Sequence, residues 1–328
     1  MTASKREGAE PGIAYVVSGL SKVYRTKSGD VTATDGVDLE VRRGEVFGLL
    51  GPNGAGKTSA VRQLIGLLQP DAGRIELFGR DVVAHPRVVP DFVAYLPQDD
   101  AALADQTPVD ALETTGRLRG LPRREAIAAR DAVIDELGLG GFANRPIAKL
   151  SGGQRRLAGV GAALVGDRPV LVLDEPTTGL DPTARRAVWS AIERRRSKHA
   201  TTVVLVTHNV LEAETVLDRV AIFDCGRVIA SDTPGRLKAL VDREVRLELV
   251  WRHDPPDDDP LAASLRTRAI EHGRRWNVRL PADEARTALA ELTNGPLFAA
   301  LDDFTLSTPS LEDVYLTLGG AARDLERA

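Results

Sequence analysis

The stretch Glu45-Val-Phe-Gly-Leu-Leu-Gly-Pro-Asn-Gly-Ala-Gly-Lys-Thr-Ser59 constrains this chain more than any other, because it reads as a buried strand breaking into a glycine-rich loop and then a helix. From Gly51 to Thr58 it fits G-x-x-x-x-G-K-[ST], a phosphate-cradling loop. Gly51, Gly54 and Gly56 let the backbone curl through positive φ and bring its amides against phosphate oxygens without a Cβ in the way. The helix opening at Lys57 adds an anion-binding N-terminus. Lys57 offers a mobile charge to the β and γ phosphates, and the Thr58 hydroxyl is placed to coordinate the Mg²⁺ between them. These residues predict a nucleoside triphosphate site.

At 328 residues and 35.2 kDa the chain exceeds one typical core, so a large domain plus a smaller one is expected. A net charge of −4 and a pI near 5.8 give no basic field and argue against nucleic acid as the main partner. The one cysteine, Cys225, excludes an internal disulfide and a cysteine metal cluster, and its place in an apolar strand points to packing. Mean hydropathy of −0.15, with no apolar run near 18 residues, predicts no transmembrane helix. Met1 to Gly12 is polar and charged, which reads as a disordered tail over 1–11 rather than a signal peptide, and a cytosolic chain is expected.

In order along the chain, Ile13–Val17 and Asp38–Arg42 read as strands with Ser28-Gly-Asp30 as a turn between them. Tyr24, just before that turn, could stack on an adenine face or serve edge packing. The helix from Lys57 to about Leu68 stops at Pro70-Asp-Ala-Gly73, before a strand over Arg74–Phe78. Phe92–Leu96 is a short apolar strand running into Pro97-Gln98. From Thr107 to about Lys149 the period turns helical, with Leu112 and Leu118 in one helix and Ile127, Ile134 and Leu137 in a second. This block reads as an inserted helical lobe.

Leu150-Ser-Gly-Gly-Gln-Arg-Arg156 opens another helix, with Ser151 in an N-cap position and glycines exposing amides at its positive end, so it offers a second anion site. Pro169-Val-Leu-Val-Leu-Asp-Glu-Pro176 is a buried strand delivering two carboxylates at its carboxyl end, where ligands sit in open α/β sheets. Asp174 would hold the Mg²⁺ shell, and Glu175 would polarise an attacking water. Gly179-Leu-Asp181 comes next. The β-branched strand Thr201–Val206 ends in Thr207-His208, which places His208 within reach of the γ phosphate.

Taken together and in this order, the motifs resemble the ATP-binding cassette family over roughly residues 12 to 240. The resemblance implies an α/β fold: a P-loop NTPase core of mixed sheet and helices, carrying the helical lobe over about 99–150. It further implies that Tyr24 stacks on adenine, while Gly51, Pro52, Asn53, Gly54, Ala55, Gly56, Lys57, Thr58 and Ser59 wrap ATP. Gln98 would contact Mg²⁺ and the water as its loop senses a membrane subunit. Ser151, Gly152, Gly153 and Gln154 would bind the γ phosphate held by the opposite subunit, with Asp181 at the dimer seam and His208 coupled to Glu175.

Beyond residue 240 the composition shifts, and a small α+β appendage over 241–328 is expected, with strands Glu244–Trp251, Trp276–Leu280 and Phe304–Ser307 alternating with helices. Its last helix, starting at Thr308-Pro309, carries Leu311, Val314, Tyr315 and Leu318 on one face, which should pack against the appendage's own strands. Pro309-Ser-Leu-Glu-Asp-Val-Tyr-Leu-Thr-Leu318 resembles the tail of daunorubicin-resistance export ATPases. The expectation is an ATP-hydrolysing subunit, peripheral on the cytoplasmic face of the membrane, that pairs with a second copy and drives a separate permease for export of a drug, lipid or other amphipathic compound. Importer ATPases share every motif before residue 240, and soluble cassettes acting on ribosomes or DNA usually carry paired cassettes or a coiled coil that this chain lacks.

Overall fold

Three short apolar runs, Val-Phe-Gly-Leu-Leu, Val-Leu-Val-Leu-Asp and Thr-Val-Val-Leu-Val, are buried at every position and form the middle of the first sheet. Full burial is what a parallel sheet covered on both faces demands of its strands. The computed structural model describes residues 12–27, 29–98, 103–207, 214–241, 244–256 and 258–325. The chain divides into two compact units, one ending at Thr233 and the other beginning at Pro234.

In the first unit, strands β1 (Ile13–Thr26) and β2 (Gly29–Arg42) pair antiparallel, and β4 (Ala72–Leu77) and β5 (Arg80–Asp81) extend that sheet beyond β1. The hairpin is longer than the sequence suggested. Pairing continues from Leu20–Val37 out to Thr26–Gly29, so Gly29 and Asp30 belong to β2 rather than to a turn. Mixed exposure along both strands hides the period that would have shown this. The larger sheet holds β3 (Val46–Leu50), β6 (Val93–Leu96), β7 (Val170–Asp174), β8 (Thr202–Val206) and β9 (Arg219–Asp224) in parallel, with β10 (Arg227–Asp232) antiparallel at the edge in the order β10-β9-β3-β8-β7-β6.

Around this sheet run α1 (Lys57–Leu64), the single turn α2 (Val89–Phe92), α3 (Pro108–Leu118), α4 (Arg123–Leu137), α5 (Gly152–Leu164) and α6 (Pro182–His199). Every residue of α5 from Arg156 to Leu164 is buried, because β6 lies on one side of it and α3 and α4 on the other. α5 is thus the joint between lobe and sheet. The α3 face differs from expectation: Ala111 and Leu112 are buried, but Leu118 at its end is 83 % exposed. α4 buries Ala126, Val133 and Leu137 and leaves Ile127 and Ile134 half-buried. At the far end of the lobe, Glu136 of α4 accepts from Arg194 and Arg195 of α6 at 2.8 to 3.0 Å.

Cys225 is not a packing residue. It lies one position past β9, exposed, in the two-residue turn to β10 with φ of 46°.

The second unit holds α7 (Pro234–Val241), β11 (Glu244–Trp251), α8 (Pro260–Arg266), β12 (Ala269–His272), β13 (Arg275–Pro281), α9 (Ala282–Asn294), β14 (Leu301–Ser307) and α10 (Leu311–Leu325). Its antiparallel sheet, ordered β12-β13-β11-β14, contains the short β12 that the sequence did not reveal. Leu247, Leu249 and Trp251 alternate on one face of β11 with Trp276, Val278 and Leu280 of β13, and α8 and α9 cover them. Trp251 meets Trp276 edge-on at 5.2 Å. The tail helix begins at Leu311, with Ser310 as its cap: Ser310 Oγ accepts from the Asp313 amide and Asp313 Oδ2 from the Ser310 amide. Its buried Leu311 and Val314 lie on a helix packed against α7, not chiefly on the strands, and the Asp313–Arg246 pair supplies a link to β11.

Candidate nucleotide site

The loop between β3 and α1 rises from the carboxyl edge of the parallel sheet. Gly56, with φ of 101°, is the left-handed cap of α1, and a Cβ there would collide with the carbonyl of Ala33. Only glycine fits where the loop passes β2 this closely. Behind it, the Gly226 amide donates to Ala55 O at 3.0 Å, so the β9–β10 turn buttresses the loop. Ala55 itself is buried and offers that carbonyl rather than a face to the cavity.

Lys57 is buried and curls back over the loop, with Nζ donating to Gly51 O at 2.7 Å and Pro52 O at 2.8 Å. Burial lowers its pKa, opposed by the nearby Glu175 and Asp174. Those loop carbonyls satisfy the ammonium in a way an anionic ligand could replace.

A cavity of about 560 Å³ joins these parts. The loop residues Gly51, Pro52, Asn53, Gly54, Gly56, Lys57, Thr58 and Ser59 line it, and Gln98, Asp174 and Glu175 face them. Tyr24 closes one side together with Val31, its cross-strand partner, and both are partly exposed. Of the residues read from sequence, His208 lies outside the described residues.

The two carboxylates at the end of β7 differ. Burial raises the pKa of Asp174, and Glu175 adds to this, while Arg156, Lys57 and Arg62 oppose it. Its Oδ2 is buried without a hydrogen-bond partner among the described residues. A buried, unpaired carboxylate oxygen is costly in isolation and fits a hard cation, so the residues present suit Mg²⁺. Glu175 Oε2 instead accepts from Thr178 Oγ1 at 3.0 Å and Thr207 Oγ1 at 3.4 Å.

The signature segment, Leu150 to Gln154 at the start of α5, sits elsewhere. Ser151 caps α5, its Oγ accepting from the Gln154 amide while Gln154 Oε1 accepts from the Ser151 amide, a reciprocal capping box. Gln154 is therefore engaged at the helix start. Gly153 faces the loop after β7, where a Cβ would stand 2.7 Å from Gly179 O. Asp181 caps α6, with Oδ1 accepting from Thr183 and Ala184 amides at 2.8 and 3.0 Å, bonds that lower its pKa. Ser151, Gly153, Gln154, Gly179 and Asp181 line a second cavity of about 800 Å³, and no residue lines both it and the first. Gly152 is exposed beside it.

Three residues of the first site went unread in the sequence. Thr178 and Thr207 hold the Glu175 carboxylate, and Arg156 donates to the backbone around it. Arg156 had a signal: it is the one charged residue of α5's buried run, and a buried cation needs specific partners.

A phosphate loop facing a carboxylate pair across the edge of a parallel sheet defines a nucleoside triphosphate hydrolase. The model for "ABC transporter" matches residues 34–178, and that for "ABC transporter C-terminal domain" matches residues 244–308. The daunorubicin resistance ATP-binding protein DrrA3 of Streptomyces coeruleorubidus is 38% identical, the match covering 96% of this chain and 98% of that one. The Nod factor export ATP-binding protein I of Ralstonia nicotianae is 37% identical over 94% and 96% of the two chains. A solved ATP-binding subunit of an ABC transporter superposes with a TM-score of 0.64 at 27% identity, covering 69% of this chain and 92% of that one. The chain belongs to the ATP-binding subunits of ABC transporters, and its activity is ATP hydrolysis.

Proposed function

We propose that two copies of this chain close head to tail over two ATP molecules and drive a separate membrane permease that exports an amphipathic compound. The observation that carries the dimer is the separation of the two anion sites: the lysine loop and the signature helix start line different cavities of one unit. A second copy supplies what each cavity lacks. Lys57 and the loop amides bind the phosphates, Thr58 and Asp174 would hold Mg²⁺ with Gln98 beside them, and the metal when bound neutralises charge on the β and γ oxygens. Tyr24 offers an aromatic face to the base. Glu175, its carboxylate oriented by Thr178 and Thr207, accepts hydrogen bonding from the attacking water, and contact with the γ phosphate is the role that the motif order of the sequence implies for His208.

Export rests on the relatives' names together with a similarity that runs through both units. No helix among the described residues is long and apolar enough to cross a membrane, which is consistent with a peripheral subunit on the cytoplasmic face that relies on a partner for the path. The test is Glu175→Gln. Turnover should fall by about a thousandfold or more while ATP binding persists, and the protein should then elute as a dimer in ATP. Tagged and purified from detergent-solubilised cells, this variant should bring a polytopic membrane protein with it. Undiminished turnover overturns the site assignment, and recovery of ribosomal components or DNA overturns the transport reading.

A further inference from the structure

Glu175 has φ of 54°, in the left-handed region that a residue bearing a Cβ adopts only under constraint. Its neighbours supply the constraint. Its amide donates to Val206 O at 2.8 Å, and its carboxylate is held by two threonines. The peptide planes before and after it are both held by one side chain: Arg156 donates through Nη2 to the Asp174 carbonyl and through Nε to the Glu175 carbonyl at 3.0 Å. Through Nη1 the same guanidinium reaches Pro97 O at 2.6 Å and the carbonyl of Gln98 at 3.5 Å. Arg156 belongs to α5, the helix whose capped start lines the second cavity.

We propose that Arg156 is a positioning residue: its guanidinium clamps Glu175 in the left-handed conformation and ties that conformation to the signature helix. A planar fork can serve the carbonyls on both sides of one residue at once, whereas an ammonium offers a point charge. Any shift of α5 is passed to Glu175 and to the Gln98 backbone without an intermediate. With the dimer proposed above, on which this step rests, α5 of one subunit engages the nucleotide of the other, so occupancy of each site sets the geometry of the carboxylate in the neighbouring one. The two sites are then coupled by a rigid element with a defined side chain, as reciprocal linkage requires.

The clamp is tested without ATP. In the full chain, the loss of melting temperature caused by Arg156→Lys should shrink by about half when Glu175 is replaced by Gly, which adopts positive φ freely. Equal losses in both backgrounds overturn the clamp. With Glu175 in place, Arg156→Lys should lower kcat by about tenfold or more, leave KM and the equilibrium affinity for ATP within about twofold, and bring the Hill coefficient for ATP towards one. Guanidinium ion should restore part of the turnover of Arg156→Ala. Unchanged kcat, or an equal loss of nucleotide affinity, overturns the positioning role.

Should neither Arg156 variant fold, hydrogen exchange on the wild-type chain reads the link. A non-hydrolysable ATP analogue should protect the first turn of α5 and the Glu175 amide together, and protection of the helix start without Glu175 overturns the coupling. A wild-type chain that hydrolyses ATP yet stays monomeric with the analogue removes the dimeric reading and the coupling between sites, while the stability comparison still decides the clamp.

Discussion

The two units solve the problem of burial in opposite ways. In the first, Lys57, Arg156, Asp174 and Glu175 are buried within one neighbourhood, and every buried polar or charged residue described lies at or before Asp224. The second has an apolar core of Trp251, Trp276, Leu247, Leu249 and their neighbours, and among its described residues the orphaned buried side-chain polar atom is the indole nitrogen of Trp251. Among the described residues other than glycine, positive φ occurs at Phe78, Asp167, Glu175, Ala200 and Cys225, all in the first unit. Of these only Glu175 lines the candidate site, the others lying in turns, connections or at a helix end, so it is desolvated charge that gathers there, while the described core of the second unit is built by packing.

If that contrast is right, the units should fail differently. Leu249 is fully buried, so Leu249→Ala should cost about 4 kcal/mol of stability. Chemical denaturation followed by tryptophan fluorescence in a Trp189→Phe background, which leaves Trp251 and Trp276 as the reporters, should show the loss while ATP titration shows unchanged affinity. A parallel loss of ATP binding would erase the distinction. Gly56→Ala reverses the experiment: its Cβ would enter the Ala33 carbonyl at a left-handed φ, and about 3 kcal/mol of misfit falls on the loop. ATP affinity should drop by about a hundredfold, with the second unit's fluorescence transition unmoved.

The same division explains what could be read from the chain. Gly51, Lys57, Asp174 and Glu175 were legible because their chemistry dictates residue type and their strands are continuous apolar runs. The long β1–β2 hairpin was not, since much of it is exposed and its alternation is broken by register shifts. Cys225 was misplaced by one residue: the apolar period of β9 stops at Asp224, and turn geometry governs the next position. Arg156 was visible as a residue and silent as a role, because its partners are carbonyls 18 to 59 positions away, supplied by tertiary structure. In the second unit the faces of β11 and β13 were clear, but the partner of the tail helix was not. An amphipathic stripe specifies that a helix is covered and leaves open by what.

Smaller effects sharpen the comparison at the helix starts, where both units use the same device. Ser151→Ala removes the cap of α5 and should cost about 1 kcal/mol. Because this start belongs to the proposed dimer seam, ATP-driven dimerisation, monitored by light scattering in the Glu175→Gln background, should weaken beyond what stability predicts.

Ser310 and Asp313 form the equivalent box at the start of α10, where no ligand is proposed, so its loss should appear in stability alone. Burial pushes the Asp313 pKa up, but the Ser310 amide and hydroxyl, with Arg246 and Arg279, more than reverse this and leave it below the ordinary 3.8. A carboxylate depressed in the folded state stabilises above its unfolded pKa, and that contribution is lost as pH falls through the folded value. Asp313→Asn should therefore lower the stability of the second unit at neutral pH by about 0.5 kcal/mol, screening at this partly exposed site keeping it small. Between wild type and variant the difference should narrow as the pH falls below about 4, the ordinary carboxylate value, and close once it has passed through the lower folded value, where Asp313 itself is neutral. Thermal melts across pH 3 to 7 decide it: a gap that persists in acid would mean that Asp313 acts through shape rather than charge.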